Sequence, residues 1–190
     1  IFENYQYWQK KIESQPVLFF VDLVYKHLKK SRTALSEFLG CQDTDIVFFQ
    51  NPTTAISNII YSLKLKPGDE ILMSDHEYGA VVRAWKKWSK KVGVNVIEQP
   101  ISLPVSTKEK LIEDLSEGIT KKTKVIFISH ISSATALEFP VKEICDLAKS
   151  MRIVTIIDGA HAPGQVNVDL SYLGCDFFVG ACHKWLCAPK

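Results

Sequence analysis

Short apolar runs alternate along this sequence with longer segments of helical periodicity. The runs predict strands at 45–50 (DIVFFQ), 66–74 (KPGDEILMS, a turn and a strand), 94–100 (VNVIEQP), 124–129 (KVIFIS), 153–158 (IVTIID) and 176–181 (DFFVGA). The periodic segments predict helices at about 5–39, 51–63, 77–91, 106–119 and 141–151. Strands that alternate with helices and read as unbroken apolar runs are typical of a mostly parallel sheet with helices on both faces. We therefore predict an α/β fold in a single domain.

The first helical segment is the longest. Phe20, Leu28, Leu35 and Leu39 recur at helical spacing among lysine, arginine and glutamate residues, which indicates one apolar face. Gly40 follows the last of them, and glycine at this position is a common helix stop. We therefore predict one long helix that ends at Leu39.

The composition argues against several classes of protein. Lys and Arg number 23 and Asp and Glu number 21, so the net charge of +2 is too small to indicate a nucleic acid or an anionic membrane as partner. No apolar run approaches the roughly 20 residues needed to span a bilayer, and no segment resembles a signal peptide. The five cysteines are irregularly spaced, which argues against a disulfide framework. We expect a cytoplasmic protein that binds neither nucleic acid nor membrane.

Unusual polar residues collect directly after the predicted strands. These are the segments 51–54 (NPTT), 75–78 (DHEY), 129–130 (SH), 158–161 (DGAH) and 182–184 (CHK). In open α/β sheets, ligands bind outside the carboxyl ends of the strands. We therefore expect these segments to surround one site.

Lys184 and Asp158 each end a buried strand, and together they indicate a particular cofactor. A partly buried lysine loses its proton more easily and is suited to forming a Schiff base with an aldehyde. An aspartate can keep a pyridine nitrogen protonated, so the pair matches the needs of pyridoxal 5′-phosphate (PLP). The segment 51–54 opens a helix and offers backbone N–H groups and two hydroxyls to a phosphate. Tyr78 or His76 could pack on the cofactor ring.

Each of these features has an ordinary structural explanation when taken alone. A lone aspartate often caps a turn, a lysine at a strand end is often on the surface, and Asn-Pro-Thr-Thr is an unremarkable helix start. A metal-dependent hydrolase that uses His76, His161 and Asp158 is the alternative enzyme class. The sequence contains no HExxH and no paired CxxC, so we expect no metal site.

The segment 158–190, DGAHAPGQVNVDLSYLGCDFFVGACHKWLCAPK, resembles the core of the class V aminotransferase family of PLP-dependent enzymes. The branch that it resembles contains the isopenicillin N epimerase-like and cysteine desulfurase-like proteins. FFQNPTTAISNII, GDEILMSDHEYGAVVRAW and SHISSATALEFPV resemble the same family in the same order. Nearly the whole chain is covered, and the combination of motifs is specific although each motif alone is not.

The resemblance implies a role for each matching residue. Lys184 would form the Schiff base and move the proton at the substrate Cα, and Asp158 would bind the pyridinium nitrogen. His161 would hydrogen-bond the phenolic oxygen of the cofactor. The remaining cofactor-binding residues implied are Thr53, Thr54 and His183 at the phosphate, Tyr78 (with His76 as the alternative) on the ring, and Ser133 and Thr135 on a lining loop. Ala181 departs from the family pattern, because desulfurases commonly have a phosphate-binding serine there.

The resemblance also implies the fold and the activity. The fold is that of the large domain of fold type I PLP-dependent transferases, and family members form homodimers. Their chains are about twice as long, so residues 1–190 are expected to be an incomplete PLP-binding large domain without the C-terminal small domain. The expected activity is epimerisation, C–S cleavage or amino transfer at the Cα or Cβ of an amino acid, which is a small-molecule substrate. The alternative is a catalytically incomplete PLP-binding fragment.

Overall fold

A computed structural model describes residues 1–189 as a sheet of five parallel strands flanked by helices. The strands are β1 (Glu70–Ser74), β2 (Asn95–Gln99), β3 (Thr123–Ser129), β4 (Val154–Gly159) and β5 (Phe177–Gly180). The helices are α1 (Phe2–Ser14), α2 (Pro16–Leu18), α3 (Val24–Leu39), α4 (Pro52–Ser62), α5 (Gly79–Val92), α6 (Lys108–Glu117), α7 (Val141–Ser150) and α8 (Leu170–Leu173). The strand order is β2-β1-β3-β4-β5, which confirms the predicted α/β fold.

Helices cover both faces of the sheet because successive strand residues point to opposite sides. One face packs against α4 and α5, and its buried residues include Ile71, Met73, Phe127, Ile156, Ile56 and Trp85. The other face packs against α6 and α7, and its buried residues include Leu72, Ile126, Ile128, Ile157, Leu115 and Ile144. The strands are therefore buried on both sides, as their unbroken apolar sequences predict.

The prediction of one continuous helix over residues 5–39 is wrong, because this region is divided into several helical segments. Gln15 leaves the helical conformation, with φ −148° and ψ 67°, because the ring of the following Pro16 disfavours a helical residue before it. A π-helical turn at Phe19–Leu23 then joins α2 to α3. The predicted end is confirmed: Gly40 terminates α3 in the left-handed conformation, with φ +64°. Leu39 is buried, whereas Phe20 is 57% exposed.

Residues 45–50 do not form the predicted strand. A short 3-10 turn at Asp43–Asp45 comes first, and the residues after it are extended but irregular. Val47, Phe48 and Phe49 are exposed. A strand exists only when its backbone pairs with a neighbour, and no strand among residues 1–189 pairs with this segment. The apolar pattern of residues 45–50 alone was therefore insufficient to predict a strand.

The helices contain no candidate for a membrane span. Within residues 1–189, none of them combines the length and the apolar character that crossing a lipid bilayer requires.

Candidate active site

A cavity of about 250 Å³ opens at the carboxyl edge of the sheet. Seven of the residues predicted from the sequence line it: Thr53, Tyr78, Ser133, Asp158, His161, His183 and Lys184. They follow β1, β3, β4 and β5 or begin α4, so the parallel sheet brings together residues that are far apart in sequence. Thr54 and His76 do not line the cavity.

The start of α4 forms one wall. The Oδ1 atom of Asn51 accepts a hydrogen bond from the backbone N–H of Thr54 at 2.9 Å, so Asn51 caps the helix and Thr54 is already bonded. Pro52 has no N–H, which leaves the N–H of Thr53 as the first-turn donor beside the cavity. This end of the helix dipole attracts anions, and His183 and Lys184 line the same cavity.

Tyr78 and His76 differ in their surroundings. Tyr78 precedes α5, is 47% exposed and lines the cavity. The His76 Nδ1 atom lies 3.2 Å from Oγ1 of Thr135, and its ring packs edge-on against Phe139. Of these two residues, only Tyr78 lines the cavity.

Asp158 ends β4 as a buried carboxylate, and it is paired in register with Ser129 of β3. One of its oxygens accepts the backbone N–H of Ala160 at 3.0 Å. Burial raises the pKa of Asp158, and the Lys184 charge lowers it only in part. Among residues 1–189, no basic nitrogen lies within 4.0 Å of this carboxylate. A protonated ring nitrogen would supply the missing charge partner, so Asp158 fits PLP.

Lys184, His161 and Trp185 form a chain of contacts across the cavity mouth. The Nζ atom of Lys184 lies 2.9 Å from Nε2 of His161, and the indole N–H of Trp185 donates to Nδ1 of His161 at 3.3 Å. Burial lowers the pKa of Lys184, against the opposing effect of Asp158. Burial and the Lys184 charge both lower the pKa of His161. The surroundings therefore favour the uncharged amine that attack on an aldehyde requires.

Glu77 is a partly buried residue for which the sequence predicted no role. Its two oxygens accept hydrogen bonds from the hydroxyls of Ser74 and Ser129, each at 2.6 Å. Burial is the main cause that raises its pKa to about 7, and the nearby Asp158 adds to the rise. Its position after β1 within the segment 75–78 is the signal that could have drawn attention to it.

We predict that replacing Glu77 by glutamine makes the stability of the protein less dependent on pH. The folded-state pKa of about 7 exceeds the ordinary value of 4.5, so Glu77 stabilises the fold at low pH and this contribution is lost as the pH rises through 7. The shift corresponds to about 2–3 kcal/mol between pH 5 and pH 8. Urea unfolding of the wild type and Glu77→Gln at both pH values measures it.

Glu113→Gln is the matched control, because Glu113 is exposed on α6. The control should keep the pH dependence of the wild type. An equal pH dependence in Glu77→Gln and the wild type would show that Glu77 does not carry a raised pKa.

The metal-dependent alternative finds no support in the geometry. In the part of the chain that the structure describes, no group of three His, Cys, Asp or Glu side chains is arranged to hold a metal ion. His76, one of the three proposed ligands, lies instead beside Thr135.

Comparisons with known proteins identify the family to which the chain belongs. The family model described as "Aminotransferase class-V" matches residues 5–190. The isopenicillin N epimerase of Streptomyces clavuligerus is 31% identical over 188 residues, which cover 99% of this chain and 47% of that protein. The L-cysteine desulfhydrase of Arabidopsis thaliana is 27% identical over 204 residues, covering 100% of this chain and 45% of that protein. The chain thus spans about half the length of these curated relatives.

A solved structure shares the fold. It is a lysine-to-alanine variant of C-DES with glycine covalently linked to its PLP cofactor. The match has a TM-score of 0.84 at 23% identity and covers 97% of this chain and 48% of that one. The sequence-based family prediction is confirmed: the chain belongs to the class V aminotransferase family.

Proposed function

We propose that residues 1–190 form the PLP-binding large domain of an enzyme that acts on an amino acid. One observation carries the proposal. The Lys184 amine and the Asp158 carboxylate reach the same cavity, yet the two groups do not form an ion pair. Each is therefore left for a ligand that carries both an aldehyde and a basic ring nitrogen.

The cavity offers a partner for each part of PLP. Asp158 would hold the ring nitrogen, and His161 would hydrogen-bond the phenolic oxygen. The N–H and hydroxyl of Thr53, together with His183, would hold the phosphate. Tyr78 would pack against the ring, and Ser133 would line the cavity. Thr54 would act through the helix end, because its own N–H is bound to Asn51.

When bound, PLP would supply an electron sink for charge that develops at the substrate Cα. Lys184 would take the proton from this carbon and return it, since its lowered pKa favours the free amine. His161, 2.9 Å from Nζ of Lys184, would orient the amine during the transfer. Asp158 would keep the ring nitrogen protonated. These roles require only side chains that already line the cavity.

The residues that line the cavity specify a class of reactions and not one reaction. Proton transfer at Cα is common to epimerisation, C–S cleavage and amino transfer. Two relatives are named isopenicillin N epimerase and L-cysteine desulfhydrase, and these names support epimerisation and C–S cleavage. A PLP-binding unit that lacks activity alone is the second candidate, and the coverage of about half of each relative supports it.

We also propose that the protein is a cytoplasmic homodimer. Several large apolar side chains near the N-terminal helices and in the irregular segment are exposed, and a second subunit would cover such surfaces: Val17, Phe20, Val21, Tyr25, Val47, Phe48 and Phe49. The five cysteines are free, which is typical of a reducing compartment.

Titration with PLP, followed by reduction, tests the cofactor assignment. We expect a visible absorption band when PLP is added to the purified protein. After borohydride treatment and proteolysis, mass spectrometry should find the label on the peptide that contains Lys184. A folded protein that produces no band, or whose label lies on surface lysines in proportion to their number, would contradict the proposal.

A further inference from the structure

The hydrogen bond from Trp185 determines which nitrogen of His161 carries the proton. An indole nitrogen can only donate, so the contact of 3.3 Å requires His161 Nδ1 to be an unprotonated acceptor. In the neutral imidazole the remaining proton then lies on Nε2. That nitrogen is the one 2.9 Å from Nζ of Lys184.

The position of this proton selects the protonation state of Lys184. An Nε2–H group is a donor, and it makes a hydrogen bond only with a free amine, which has a lone pair. The other tautomer would present a bare Nε2, which matches an ammonium group. We propose that Trp185 is a positioning residue that holds His161 in the Nε2–H form and thereby keeps Lys184 as a free amine.

The catalytic meaning of this role rests on the function proposed above, but the tautomer itself does not. The groups around Lys184 act in different directions. Asp158, at the end of β4, favours the charged lysine, whereas burial favours the neutral amine. Tyr78, before α5, and His183, adjacent in sequence, also line the cavity. The His161 tautomer therefore adds to burial in opposing Asp158.

The exposure of Trp185 favours a role for its N–H over one for its ring. Its side chain is 51% exposed, and its ring centroid lies 6.5 Å from that of His161 at an angle of 58°. About half of the side chain is therefore in solvent, and the ring is not stacked on that of His161. Phenylalanine would keep the ring and remove only the donor, so Trp185→Phe separates the two roles.

The test uses the cofactor-free protein. Competitive acetylation with acetic anhydride over a range of pH, read by peptide mass spectrometry, gives the pKa of Lys184 without any catalytic assay. Loss of one hydrogen bond should raise this pKa by about 0.5–1 unit in Trp185→Phe. Labelling of Lys184 near neutral pH should then fall by about three- to tenfold. Nitrogen-15 NMR of labelled histidine should show His161 changing from one tautomer to a mixture.

Two controls isolate the effect. Trp88→Phe removes an indole from α5 that packs on Trp85 and does not line the cavity, and it should leave the Lys184 profile unchanged. In a His161→Gln background, where no tautomer exists, Trp185→Phe should have no effect. An unchanged tautomer and an unchanged Lys184 profile in Trp185→Phe would overturn the inference.

A PLP titration of the wild type, run in parallel, keeps the two proposals distinguishable. If the wild type forms no reducible adduct with PLP, the proposed function fails. The acetylation and NMR results still decide the role of Trp185, because neither measurement involves the cofactor.

Discussion

Replacing Lys184 by alanine is expected to abolish the covalent capture of PLP. Lys184 is the only lysine among the cavity-lining residues of the described chain, and burial lowers its pKa. An exposed lysine with an ordinary pKa is almost entirely protonated at neutral pH and forms imines slowly. We expect no borohydride-fixed label at residue 184 and at least tenfold less label on the whole protein.

Lys87→Ala is the matched control, because Lys87 is exposed on α5. The control should capture PLP as the wild type does, with the same visible band. The cavity of Lys184→Ala keeps Asp158, Thr53 and His183, so the variant should still bind PLP without a covalent bond, and ultrafiltration can detect this. Equal borohydride-fixed label in Lys184→Ala and the wild type would rule out Lys184 as the anchor.

Replacing Asp158 by asparagine is expected to change stability and cofactor binding in opposite directions. The cofactor-free protein buries this carboxylate without a basic partner within 4.0 Å, so a neutral amide should stabilise it by about 1 kcal/mol. Losing one partner of a buried, hydrogen-bonded charge pair costs about 2–5 kcal/mol. PLP binding should therefore weaken by about 30- to 5000-fold.

Urea unfolding of the cofactor-free protein and fluorescence titration with PLP measure the two effects separately. Asp22→Asn, at an exposed position in the N-terminal helical region, is the control and should alter neither. A destabilised Asp158→Asn protein would show that the carboxylate supports the fold through bonds such as the one to Ala160. An unchanged affinity for PLP would show that Asp158 does not hold the ring.

The sheet was predictable from the sequence because its signals are local. β3 and β4 are apolar runs with a polar residue at the end, and each is long enough to be buried on both faces. The segment 45–50 carries the same local signal but does not form a strand, because pairing depends on a neighbour that is distant in sequence. The break at Gln15 could have been anticipated from Pro16, which disfavours helix in the residue before it.

The candidate site was predictable to the extent that it lies at strand ends. Asp158 lies at the carboxyl end of β4 and Lys184 lies a few residues after β5, so the rule for parallel sheets places them together. The burial of Glu77 and the contact of Trp185 with His161 depend on side-chain packing across separate elements, which periodicity does not encode. The choice between Tyr78 and His76 is of the same kind, since it depends on where each ring points.

The order of the elements along the chain has a consequence for biosynthesis. The helix end at Thr53 emerges from the ribosome early, whereas Lys184 follows β5, the last strand of the sheet. β4 and β5 can pair only after the crossover between them has formed, and such non-local contacts form late in folding. The nascent chain therefore exposes the Thr53 part of the phosphate site long before it adds His183 and Lys184. Covalent capture of PLP by ribosome-bound chains would thus report when β5 has joined the other four described strands.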